Sequence, residues 1–98
     1  MDYIKTVSKH DKNLIMYMEV DENFIELKKI ELVENDLLGY ASQDVEFNGT
    51  SLASTPLLSI SEINAIENIS AVKISREEFY SLWDRVILTD NHYYDPQS

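Results

Sequence analysis

Leu14, Met16, Met18 and Val20 alternate with Ile15, Tyr17 and Glu19. A period of two over this stretch predicts a β-strand, and apolar side chains on both faces predict a central place in a sheet. Tyr3 to Ser8 alternates more weakly and predicts a first strand, separated from the second by the polar turn Asp11-Lys12-Asn13. After the turn Asp21-Glu22-Asn23, the segment Phe24 to Val33 predicts a third strand. Its apolar residues change parity near Lys28-Lys29, the mark of a β-bulge. Leu37 to Ala41 follows the turn Glu34-Asn35-Asp36 as a fourth strand, and Gly39 inside it predicts a bulge or a close backbone approach. Asp44 to Phe47 is a short extended piece ending at the turn signal Asn48-Gly49, and Ser51 to Leu58 is a loop.

The period then changes. Ser59 with Glu62 three residues on forms a capping box, and Ile60, Ile63 and Ile66 give a narrow apolar stripe to about Glu67. Ser75 with Glu78 repeats the signal. Phe79, Leu82, Trp83 and Val86 then fall at the spacing of a core-facing helix. Ala71 to Ile74, between the two helices, predicts a short strand. From Thr89 on periodicity ends, which predicts a flexible tail over 89–98 behind a single domain of 1–88. Loops of three to five residues make a meander the simplest order for the first four strands. The predicted fold is α+β: an antiparallel sheet of four to five strands with two helices, the C-terminal one packed on a sheet face.

Charge changes the picture more than size does. The 98 residues hold 18 acidic and 8 basic side chains, a formal net charge of -10. Five of the basic residues fall within the first 29 positions, and the stretch from Ile30 to Val72 contains no Lys or Arg. Such a field repels phosphates and anionic membranes and attracts basic partners, so neither a nucleic acid nor a membrane is expected as partner. The N-terminus lacks the basic start and apolar core of a signal peptide, and no stretch reaches the ~20 apolar residues of a membrane helix, so a cytoplasmic protein is expected.

Chemistry is sparse. The chain has no Cys, hence no disulfide, thiolate zinc site or Cys nucleophile. Its two histidines, His10 and His92, sit at a strand end and in the expected tail. Carboxylates at i, i+2 spacing, Glu19/Asp21, Glu34/Asp36 and Asp44/Glu46, share a strand face in pairs, but the Gly and terminal Glu of a calcium loop are missing. No phosphate-binding glycine loop, zinc helix motif or nucleophile elbow occurs. We therefore expect no catalytic residues, no cofactor and no metal.

Several strings carry a family resemblance: Phe24-x-Glu26-x-Lys28-Lys29-x-Glu31, Leu38-Gly39-Tyr40-Ala41, Thr50-x-Leu52, Pro56, Ile60-x-Glu62-Ile63-Asn64, and Ile74-Ser75-x-Glu77-Glu78-Phe79-x-x-Leu82-Trp83. Together they resemble a family of small acidic bacterial proteins without assigned activity. The chain departs from that family's pattern at Val7 to His10, where a Trp-x-His is common, and at Ser54 to Leu57, where prolines are paired. Such small stand-alone proteins look like immunity proteins of toxin–immunity pairs, including those of contact-dependent inhibition.

The resemblance implies a monomer that binds a cognate toxin C-terminal domain one to one. A nuclease toxin needs a basic cleft, and an inhibitor gains from an acidic face that steers encounter and covers that cleft. The candidate partner-binding residues are Glu31, Glu34, Asp36, Asp44 and Glu46, all in the basic-free stretch. Two alternatives stay open: a small hydrolase using carboxylates and His10, and an acidic nucleic-acid mimic that inhibits a DNA-binding protein.

Overall fold

The computed structural model describes residues 1–9, 13–34 and 36–94, with the backbone alone for 89–94. It is an α+β fold. Six antiparallel strands, β1 (Asp2–Ser8), β2 (Leu14–Val20), β3 (Glu26–Val33), β4 (Asp36–Ser42), β5 (Glu46–Phe47) and β6 (Ile69–Ile74), form one open sheet in the order β5-β4-β3-β2-β1-β6. The first four make the expected meander, and β5 extends it. After β5 the chain crosses one face through a loop and helix α1 (Ile60–Asn64) and returns on the far edge as β6, which raises the strand number to six.

Both expected irregularities are present. Glu19 pairs with Lys28 and Val20 with Glu26, so Leu27 is the extra residue of a bulge, one position before the expected place. In β4 the pairs Glu31–Gly39 and Leu32–Leu37 leave Leu38 as the extra residue. Gly39 also permits a close approach: a Cβ there would stand 2.5 Å from the Phe47 carbonyl oxygen and collide with the Thr50 side chain. β3 starts at Glu26 rather than at Phe24. The reason lies in the turn, where Phe24 takes a left-handed φ of 61° and the Asp21 carboxylate accepts the backbone N–H groups of Asn23 and Ile25.

The two parities of β2 face two cores. On one face Tyr3, Ile30, Tyr40, Phe79, Trp83 and Val86 pack together beneath α2 (Arg76–Tyr94). Trp83 meets the Tyr40 ring edge-on, and Tyr3 contacts Phe79 at 5.4 Å between centroids. On the other face Ile4, Met18, Val20, Ile63 and Ala71 pack beneath α1, with Phe24 and Leu57 against them. Ser59 caps α1 as expected: its hydroxyl accepts from the Glu62 N–H, and the Glu62 carboxylate accepts from the Ser59 N–H. α1 ends at Asn64, short of the expected Glu67.

The stretch expected as a tail begins inside α2. α2 runs on to Tyr94, because backbone hydrogen bonding continues a helix past the end of its apolar stripe. Residues 95–98 lie outside the described ones. Among the described residues no helix is long and apolar enough to cross a membrane.

Candidate functional site: an acidic sheet edge and a buried carboxylate

The five predicted acidic residues do not form one patch. Glu34 sits at the β3–β4 turn with a left-handed φ of 52°, and Asp36 opens β4; both are exposed. Asp44 lies in the turn after β4 and Glu46 in β5, also exposed. The two pairs thus occupy opposite ends of β4, separated by roughly 20 Å at about 3.3 Å per residue. They share the β4–β5 side of the sheet. Among the described residues none of these four takes part in an ion pair. Between the acidic ends the edge exposes apolar side chains, Leu37 and Leu38 at 39% each.

Glu31 is different and leaves the candidate surface. Its carboxylate accepts the Thr50 hydroxyl at 2.6 Å on the α1 face of the sheet. Glu26 is buried on the same face and accepts the Ala53 N–H at 2.9 Å, while Lys29 Nζ bonds Glu26 at 2.8 Å and the Ser51 carbonyl at 3.1 Å. The bulge at Leu27 brings Glu26 onto the same sheet face as Lys29 and Glu31, so three charged residues of the Glu-x-Lys-Lys-x-Glu string fasten the segment Thr50–Ala53 to the sheet. Their arrangement explains why the string is charged without being exposed.

Lys28, the remaining residue of that string, points to the α2 face. It reaches Glu19, which is 5% exposed, at 3.2 Å and the Tyr80 hydroxyl at 3.2 Å. Glu19 also accepts hydrogen bonds from Tyr80 at 2.7 Å and Tyr3 at 2.9 Å. Its two oxygens therefore meet three donors. Burial alone pushes the Glu19 carboxyl up, but the hydrogen bonds from Tyr80, Tyr3 and Lys28, with the Lys28 charge, outweigh it and hold the carboxyl below its ordinary range. Burial likewise pulls Lys28 down, and its bonds to Tyr80 and Glu19 more than reverse that, so its pKa is raised. Burial and the neighbouring carboxylate raise both tyrosines.

A groove of about 330 Å³ runs past this cluster, with Lys28, Tyr80, Ser42 and Asp44 in its walls. Glu19 was not among the predicted residues. Its signal was available: it is the one charge on the Ile15-Tyr17-Glu19 face of a strand read as central.

A general base works best with a pKa near the working pH, and Glu19 is held on the wrong side of that range with its acceptors occupied. His10 lies outside the described residues, and only the backbone of His92 is described. Among the described residues no group of three or more His, Asp or Glu is placed to hold a metal ion.

No curated protein and no solved structure matches the chain. A family model does match, over residues 2–88, which takes in every strand, α1 and most of α2. The chain belongs to the DUF6881 family, whose description is a domain of unknown function.

Proposed function

We propose that this chain is a cytoplasmic immunity protein that binds a cognate toxin domain with a basic cleft and blocks it without catalysis, as a monomer in a one-to-one complex. One observation supports the reading most: the placement of the lysines. Lys28 and Lys29 directly precede the acidic stretch and are the natural candidates to neutralise it. Instead they pair with the inner carboxylates Glu19 and Glu26, one on each sheet face. Among the described residues Glu34, Asp36, Asp44 and Glu46 form no ion pair and set an acidic field along the β4–β5 side. A basic toxin surface is steered by such a field, and the exposed Leu37 and Leu38 between its ends add apolar contact area.

Identifying the neighbouring reading frame and, where it encodes a long secreted protein, co-expressing its C-terminal domain with this chain tests the proposal. An immunity protein forms a stable one-to-one complex with that domain, spares the host from growth arrest and turns over no substrate. Absence of both complex and protection contradicts it. Displacement of DNA from several unrelated basic proteins supports the nucleic-acid mimic instead.

A further inference from the structure

Among the described residues β6 forms one edge of the sheet and pairs with β1 alone. The Lys9 N–H donates to the Asn68 carbonyl at 2.9 Å, which sets the alternation along the ladder. Ser70, Val72 and Ile74 therefore bond to β1, whereas the backbone groups of Ile69, Ala71 and Lys73 point away from the sheet. An outward row of this kind is a template for another strand. The sequence of β6, Ile-Ser-Ala-Val-Lys-Ile, suits such pairing, with β-branched residues, one charge and no Gly or Pro. Val72 is 52% exposed on it.

The outward groups of Ala71 are already taken. Asn64 Nδ2 donates to the Ala71 carbonyl at 3.0 Å, and Asn64 Oδ1 accepts the Ala71 N–H at 2.7 Å. These are the two bonds an antiparallel neighbour would make at that position, supplied by a side-chain amide. The Ile69 N–H turns to the Ile66 carbonyl, so among the described residues Lys73 is the outward residue whose N–H and carbonyl both stay open, and it puts a charge there. The opposite edge uses the same chemistry, since Asn48 Nδ2 donates to the Leu38 carbonyl at 2.5 Å where β5 no longer covers β4.

We propose that Asn64 is a lock on the β6 edge that holds the protein monomeric, and that the surface it closes is one at which a second copy of this chain adds, β6 against β6 antiparallel. An isologous pairing suits a second copy, because the same edge serves both partners. The inference is independent of the toxin reading.

Sedimentation of the intact chain and of Asn64→Ala, each over rising concentration at high salt to screen the net charge, tests the lock. The parent should stay monomeric, and the variant should approach twice the monomer mass. Adding Lys73→Pro to Asn64→Ala should return the monomer, because it removes the outward N–H at residue 73 that an added strand would use. A variant that stays monomeric at every concentration overturns the proposal. So does a dimer that survives Lys73→Pro, or a parent that dimerises. Hydrogen exchange on the parent keeps the test decisive if the variant fails to fold. The Ala71 amide should exchange far more slowly than the Lys73 amide, and equal rates would show that Asn64 does not close the edge.

Discussion

Lys28 Nζ stands 3.2 Å from Glu19 Oε1 on the α2 face of the sheet, although the two residues belong to neighbouring strands of a strongly acidic chain. The contact closes a network in which Tyr3, Tyr80 and Lys28 converge on one buried carboxylate. Tyr80 comes from α2, so the network also fixes where the helix crosses the sheet. Removing one donor leaves the charge buried and under-bonded, which costs more than the bond itself contributes.

Tyr80→Phe removes the 2.7 Å bond to Glu19 and keeps the ring. We expect a loss of about 1.5–3 kcal/mol in urea unfolding, the range for hydrogen bonds to charged groups. Tyr3→Phe should act in the same direction through its own bond to Glu19. Equal midpoints for parent and Tyr80→Phe would show that the carboxylate is not held from the helix.

The same network fixes the pH dependence of stability. The Glu19 carboxyl is lowered in the folded state, so the unfolded chain binds its proton first as pH falls. Its contribution is present above the unfolded carboxyl pKa and is lost as pH drops through the folded value. Lys28 is raised, so its contribution is complete below its unfolded pKa and is lost as pH climbs through the folded one. The Glu19→Gln variant should therefore show a flatter acid limb than the parent in thermal melts from neutral to acid pH. An unchanged acid limb would contradict this assignment.

Trp83 packs against Tyr40 and Phe79 at the centre of the α2 face. Trp83→Ala should cost about 3–5 kcal/mol, the usual loss for a buried aromatic, measured by denaturant unfolding. A variant as stable as the parent would mean that α2 is not packed there.

Gly39→Ala places a methyl group against the Phe47 carbonyl and the Thr50 side chain. The neighbouring atom is backbone, so relief requires β5 to move. We expect about 1–3 kcal/mol of destabilisation in thermal or denaturant melts. A neutral substitution would show that β5 is not held where the structure puts it.

Much of this architecture was legible in the sequence, and the reasons are local. The parity of β2, both bulges and the capping box at Ser59 depend on residues a few positions apart. The sixth strand was harder, because placing Ala71 to Ile74 beside β1 depends on a crossover rather than on a turn. The buried network was least legible. Tyr80 and Glu19 are 61 positions apart, and nothing in the helix stripe marks Tyr80 as a donor to the sheet. Charge misled in one place: Glu31 looks like its exposed neighbours in sequence, but strand parity turns it toward Thr50.

The proposed function stands on the exposed carboxylates of the β4–β5 side guiding a basic toxin domain. The most direct measurement is the association rate at low salt between the toxin domain found by co-expression and the variant carrying Glu34→Lys, Asp36→Lys, Asp44→Lys and Glu46→Lys. All four positions are exposed and free of ion pairs among the described residues, so the variant should fold. Steering by complementary charge raises association by about 10- to 1000-fold, and salt removes it. The account predicts that the folded variant associates at least about tenfold more slowly than the parent, with a weaker dependence on salt. Association at the parental rate with parental salt dependence would contradict it.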